Sequence, residues 1–431
     1  MPSAAATAPR PGPRAAYAQW IDACTAAGWR GAPAAEQVPV RDGLGRVTAA
    51  PVRARWPSPR SACAAMDGIA ISAASADGGG SVDTVGRWRL ATSGFAWVDT
   101  GDPLPAGMDT VVERERVQLG ADGSAQITGP APRGLNVRAE GEDFRSSQLL
   151  IPAGHRLRPA DLAAAAAAGH AALEVARRPV AAIIPTGDEI RPVGSALGPG
   201  EVTDSNSLLL ALRAGEAGAR PLVSDVQPDN PDALAAEIRR AALTADVVLV
   251  IAGSSAGRGD HTAAVIAQVG GLAVRGVAVR PGHPVLLGYA GLDGMRAGQP
   301  GQPGRPATAV PVVGVPGYPL AAAVIFELFA IPMLAALLGG QPPDRVWQRA
   351  QLACDWTSSP DVEDWVPMSL TAARAGPDDA SGAALATPDR RGAGAISRLM
   401  RAHAWWPIPI GQGKFARGEH IDVQLLPGAP L

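Results

Sequence analysis

The sequence is nearly without lysine. Lys414 stands alone, and the other 37 of the 38 basic residues are arginine. The bias is global, so an arginine at one site does not by itself point to a planar, bidentate partner. Positive charge is not in excess either, because 38 basic residues face 40 acidic ones. Backbone-driven nucleic-acid binding needs a basic surface, and this balance argues against it. Cysteine is scarce. Cys24, Cys63 and Cys354 are scattered without CxxC spacing, which excludes a disulfide framework and a thiolate zinc site. Long apolar runs are nearly missing too. The exception, 320–338, carries Glu327 midway and Pro332 after it, so a buried or interface helix is expected rather than a membrane span. The opening MPSAAATAPRPGPRAAYAQW lacks the apolar core of a signal peptide and reads as a disordered leader on a cytoplasmic protein.

Glycine and proline are plentiful: 51 and 41 of 431 residues. With a hydrophobic share of 47%, that describes a folded chain with many turns. The length suggests about three domains.

A short helix is expected over 16–30. From 51 to 149 the pattern is short Val/Ile/Trp runs cut by Gly, Pro and Asp, a β pattern. A helix is expected over 159–176, with Pro159 early and Asp161 in its first turn. Compact apolar runs then alternate with helical segments. The runs are 180–184, 246–253 and 311–315; the helices are 205–217, 231–244, 260–269 and the segment to 338. That alternation indicates βαβ units and a parallel sheet. Residues 291–309 read as a Gly/Pro-rich surface loop, and short strands return after 341.

In a doubly wound sheet, ligands bind beyond the carboxyl ends of the strands. Three loops fall there: Pro185-Thr186-Gly187-Asp188-Glu189, the segment 252–260, and 314–319. The second contains Gly253, Ser254, Ser255, Gly257 and Asp260; the third contains Pro316 and Gly317. Free backbone N–H groups in such loops can cradle phosphate, and neighbouring carboxylates can hold Mg²⁺. Turn chemistry alone also accounts for any one of them. The second loop lacks the spacing and the lysine of a P-loop. Arg280-Pro281-Gly282-His283-Pro284 places two basic groups on one turn, where they could converge on an oxyanion or be a solvated hairpin. Asp67-Gly68, in a β context, reads locally as a hairpin turn. His155, His170, His403 and His420 look like surface or packing residues, and His261 a helix-start residue. No nucleophile–base triad suggests itself.

These motifs, in this order, resemble the MoeA family of molybdopterin molybdenumtransferases, which includes the E domain of gephyrin. The resemblance runs through Leu44-Gly45-Arg46-Val47, Ala65-Met66-Asp67-Gly68-Ile69-Ala70, Thr100-Gly101-Asp102-Pro103-Leu104-Pro105 and Asn136-Val137-Arg138 with Gly141-Glu142-Asp143. It continues through Thr186-Gly187-Asp188-Glu189, Asp204-Ser205-Asn206, the 252–260 loop, Arg280–Pro284 and Pro316–Pro319. It covers about 35–430.

The resemblance implies a multidomain α/β plus β protein. Its parts would be an elongated N-terminal domain (1–50 and 150–176), an inserted β-domain (51–149), a doubly wound MogA-like molybdopterin-binding domain (177–340) and a C-terminal β-barrel-like domain (341–431). It implies a homodimer, with a site between one subunit's α/β domain and its partner's N-terminal domains. It implies transfer of molybdate to adenylylated molybdopterin with release of AMP, Mg²⁺ dependence, and a molybdopterin adenylyltransferase upstream. Asp67, Glu189, Asp229 and Asp260 match the family's functional carboxylates. Asp67, Asp143, Glu189 and Asp260 would hold the metal. Thr186, Gly187, Asp188, Gly253, Ser254, Ser255, Gly257, Arg280, His283, Pro284, Pro316, Gly317 and Ser397 would bind the cofactor. The departures cluster on the molybdate side: the family's two oxyanion lysines are Arg280 and His283, its Asn is Tyr318, and its Ser is Ala321. Two alternatives stay open, a non-catalytic molybdopterin-binding or regulatory module and a tungstate-using transferase.

Overall fold

The computed structural model describes residues 10–31, 34–74, 87–252, 261–292, 309–342, 344–371, 384–389, 392 and 394–428. It forms two compact units. One is Ala35–Val175; the other joins Met1–Ala34 to Ala176–Leu431.

The larger unit is built on a six-stranded sheet. Its order is Arg220–Val223, Val180–Pro185, Val247–Ala252, Ala309–Pro316, Leu286–Gly291 and Gly270–Arg275. The first four strands are parallel, and the last two form an antiparallel hairpin on one edge. The central strands are apolar throughout because both faces are covered. Ala181, Ile183, Val247 and Leu249 pack under the 205–216 helix and the 319–337 helical segment. Val180, Ala182, Val248 and Val250 pack under Pro231–Ala242 and His261–Val269. Asp204 caps its helix by accepting from Ser207 N, and Asn230 caps the next from Asp232 N and Ala233 N.

The apolar segment at 320–338 is the helix Pro319–Leu337, with a π-helical stretch at Phe326–Ala330. It is mostly buried, and Glu327 pairs with Arg213 on the neighbouring helix. The N-terminal helix, Pro13–Ala26, departs from the grouping expected from sequence. It buries Ala16, Trp20 and Cys24 in the same core as the sheet, and Trp20 Nε1 donates to Gly288 O at 2.7 Å. Its apolar face finds a sheet to cover there.

The C-terminal strands close into a ring. Glu363–Thr371, Ala384–Pro388, Trp347–Leu352, His420–Leu425 and Ala404–Ile408 pair in sequence, and the last pairs back to the first. Closure removes the exposed edges, and Leu352, Met368, Ile408 and Val423 fill the interior.

In the smaller unit, Gly68–Ile71 lies between Phe95–Val98 and Thr110–Glu113, and Ala125–Thr128 lies between Arg87–Leu90 and Val117–Leu119. Gly68 is required by close approach rather than by its φ. A Cβ there would stand 2.0 Å from Val112 O. The helix expected to 176 ends at Ala167. Gly169 follows with φ +97°, and Ala172–Ala176 is a strand with Leu173 and Val175 buried. The alternation in ALEVA competes with helix propensity, and the burial it offers decides.

Candidate active site

Each carboxyl-end loop of the sheet is positioned by a strand that stops. After Pro185, Thr186 Oγ1 and N both donate to Ile251 O, tying the first loop to the next strand. Gly187 N donates to Gln227 O, and Asp229 N donates to Asp188 Oδ1 at 3.2 Å. The expected residues Asp188 and Asp229 thus meet, both exposed. Across the sheet end, Asn206 Nδ2 donates to Gly317 O at 2.7 Å, joining the helix start to the loop after Pro316.

These loops surround a cavity of about 520 Å³. Thr186, Glu189, Asp204, Asn206, Ala252, Gly317 and Tyr318 are among its lining residues. Asn206 is 9% exposed, and its Oδ1 has no hydrogen-bond partner among the described residues. A buried amide oxygen without a donor is costly, so this end of the cavity suits a ligand N–H or O–H. Gly253, Ser254, Ser255, Gly257 and Asp260 lie outside the described residues.

A second cavity, of about 350 Å³, lies against the Arg280–Pro284 turn. Arg280, His283, Pro284, Pro316, Ala321 and Trp365 line it, and Tyr318 lines both cavities. The turn does not present two free cations. Arg280 Nε donates to Asp364 Oδ1 at 3.0 Å, and its Nη2 donates to Asp364 Oδ2 and to Ser358 Oγ. The hydrogen bond to Asp364 holds the guanidinium above its ordinary pKa. Burial, and then the Arg10 charge, lower the His283 pKa, so this imidazole is neutral at pH 7. Ser397 sits on the helix Ile396–Arg401, next to Ile396 of the first cavity.

Asp67 and Asp143 belong to the smaller unit. Asp67 precedes the 68–71 strand, and its Oδ1 accepts from Thr100 N and Thr100 Oγ1, both at 2.7 Å. Those bonds hold its carboxyl below the usual range. Asp143 N donates to Ser58 O, and its side chain is exposed. Among the described residues, no three His, Cys, Asp or Glu side chains gather at one point. Sequence reasoning missed Asp364. The only signal was a carboxylate next to Trp365, at the start of a strand whose middle is apolar.

Fold and cavities define a multidomain α/β protein with a cavity at the carboxyl ends of parallel strands. Three family descriptions match in succession. "MoeA N-terminal region (domain I and II)" covers 14–169, "Probable molybdopterin binding domain" covers 182–336, and "MoeA C-terminal region (domain IV)" covers 349–426. The chain belongs to the MoeA family. It is 32% identical to a molybdopterin molybdenumtransferase of Nostoc over 56% of this chain, and spans 58% of that relative's length. It is 27% identical to the enzyme of that name in Synechococcus elongatus, over 91% of this chain and 95% of that one. A crystal structure of the molybdopterin biosynthesis MoeA protein from Pyrococcus horikosii superposes with TM-score 0.78 at 27% identity, covering 96% of this chain and 98% of that one.

Proposed function

We propose that this protein is a molybdopterin molybdenumtransferase: it transfers molybdate to adenylylated molybdopterin with release of AMP. The observation that carries the reading is the cavity at the sheet's carboxyl ends, with Thr186 and Glu189 on one side and Asn206 and Gly317 on the other. Apart from Gly394 and Ile396, its lining lies within the segment that matches the molybdopterin-binding family description. The names of the relatives support the same reaction.

The donors fit Mg²⁺. They are carboxylate oxygens, and Mg²⁺ takes one or two carboxylates while drawing its other ligands from water and phosphate. Glu189 and Asp260 would hold it, with the partner's Asp67 and the partner's Asp143. When bound, the ion would neutralise charge on the adenylate phosphate. Asp188, held by Asp229 N, orients the first loop. Thr186 and Asn206 hold the cavity's two walls. No side-chain nucleophile is needed, because molybdate supplies the attacking oxygen.

The protein acts as a homodimer, with one subunit's Glu189 meeting its partner's Asp67. It works in the cytoplasm downstream of a molybdopterin adenylyltransferase, without nucleic acid or membrane. The decisive assay mixes purified protein with adenylylated molybdopterin, Mg²⁺ and molybdate. AMP release that depends on molybdate is expected, and its absence would overturn the reaction.

A further inference from the structure

One corner of the smaller unit exposes an aromatic surface that its own packing does not require. Trp97 lies on the edge strand 95–98, and it remains 49% exposed. It sits opposite Ile69, two residues beyond Asp67, so that Asp67 and Trp97 share one corner of the sheet. Phe95 braces the indole edge-to-face, with centroids 6.5 Å apart at 88°. The ring is therefore held from below while much of it stays in water.

Arg114 closes the corner from the 3-10 turn Arg114–Arg116, which follows the strand Thr110–Glu113 on the other side of 68–71. Its guanidinium carbon stands 5.8 Å from the centroid of the Trp97 ring, and its backbone N–H donates to Asp67 O at 3.1 Å. Its charge also acts on the Asp67 carboxylate, as a smaller cause of the lowered pKa. Both hydrogen bonds from Thr100 fall on Asp67 Oδ1; among the described residues none falls on Oδ2. A planar ring, a planar cation and a carboxylate with one open oxygen thus stand together at the surface.

From this geometry we propose that Trp97 and Arg114 form a stacking platform for the nucleobase of a nucleotide ester whose phosphate is handled beside Asp67. A base gains by stacking on an exposed indole. A guanidinium supports the same stack and draws the attached phosphate. The inference rests on the reading that Asp67 belongs to a site for adenylylated molybdopterin. That ligand carries two flat heteroaromatic rings, adenine and pterin, and the platform is assigned to adenine.

The test uses the full-length protein and reads binding without turnover. AMP, ribose 5-phosphate and a free pterin are titrated calorimetrically against wild type, Trp97→Ala, Trp97→Phe and Arg114→Gln. Trp97→Ala should weaken AMP roughly tenfold while leaving ribose 5-phosphate unchanged. Trp97→Phe should retain most of the AMP affinity, because it keeps a π-face. Arg114→Gln should weaken both AMP and ribose 5-phosphate. Equal AMP affinity in wild type and Trp97→Ala, or no AMP binding by wild type, would overturn the platform. A loss confined to the pterin would overturn its assignment to the base. The two readings fail separately. Trp97-dependent AMP binding in a protein that never releases AMP from adenylylated molybdopterin would leave the platform standing and remove the reaction. Turnover with Trp97-independent AMP binding would do the reverse.

Discussion

Arg280 and Asp364 form a two-point ion pair between the α/β domain and the C-terminal barrel. The guanidinium meets both carboxylate oxygens, Ser358 Oγ donates to the same carboxylate at 2.7 Å, and Asp364 is 4% exposed. The backbones pair at the same place, with Val279–Arg280 parallel to Glu363–Asp364. The arginine of a turn that the sequence leaves open as an oxyanion site or a solvated hairpin is thus paired across two domains, while the turn still lines a cavity.

Asp364→Ala leaves the guanidinium with one hydroxyl partner in a partly buried place. Removing one member of a buried pair costs about 3 kcal/mol. The expected result is a lower urea midpoint with an unchanged m value. An unshifted midpoint would mean that the pair contributes nothing net.

Gly68→Ala should be at least as damaging, although it adds only one methyl. The new Cβ would meet the backbone oxygen of Val112 at 2.0 Å, so the middle strand must move. A loss of about 3 kcal/mol or failure to accumulate folded protein is expected. Wild-type stability in denaturant would show that the strands part freely.

His283→Lys should lower the molybdate concentration that gives half-maximal AMP release by about fivefold at about pH 8, since a charged donor outweighs a neutral one by about 1 kcal/mol. The imidazole pKa is lowered, so wild type gains charge only on acidification below its ordinary value, and the advantage should shrink toward about pH 5.5. The same shift has a stability sign. A histidine that resists protonation when folded loses stability as pH falls below about 6.5, and His283→Gln should flatten that fall. Identical molybdate dependence in wild type and His283→Lys at the higher pH would place the oxyanion elsewhere.

Glu189→Gln keeps the shape and removes one exposed charge. AMP release should be abolished while stability changes by no more than about 0.5 kcal/mol. Full activity in this variant would take Glu189 out of the metal site.

Light scattering at micromolar concentration should return twice 43.8 kDa. A monodisperse monomer would contradict a site shared between subunits.

Much of the architecture was legible in local pattern. The apolar runs at 180–184, 246–253 and 311–315 became the strands 180–185, 247–252 and 309–316, because a strand buried on both faces must be apolar at every position. The helices at 205 and 231 began where a capping Asp204 and Asn230 precede them. The position of the loops at the carboxyl ends of those strands was likewise readable, since it follows from the alternation itself. The strand at 172–176 was not legible, because its alanines suit either state until Leu173 and Val175 find a layer to bury in.

Sequence by itself therefore determined most of the elements, and which loops carry Thr186, Glu189 and Gly317. Those features depend on periodicity, caps and turns, which are properties of neighbouring residues. Tertiary structure alone decided that Arg280 is spent on Asp364, 84 positions away, that Asn206 binds Gly317 O across 111, and that Trp97 stands beside Arg114 and Asp67. A side chain's charge and hydrogen-bonding capacity can be read from its identity. Whether that capacity is free for a ligand depends on what the fold brings within about 3 Å of it, and no local pattern contains that distance.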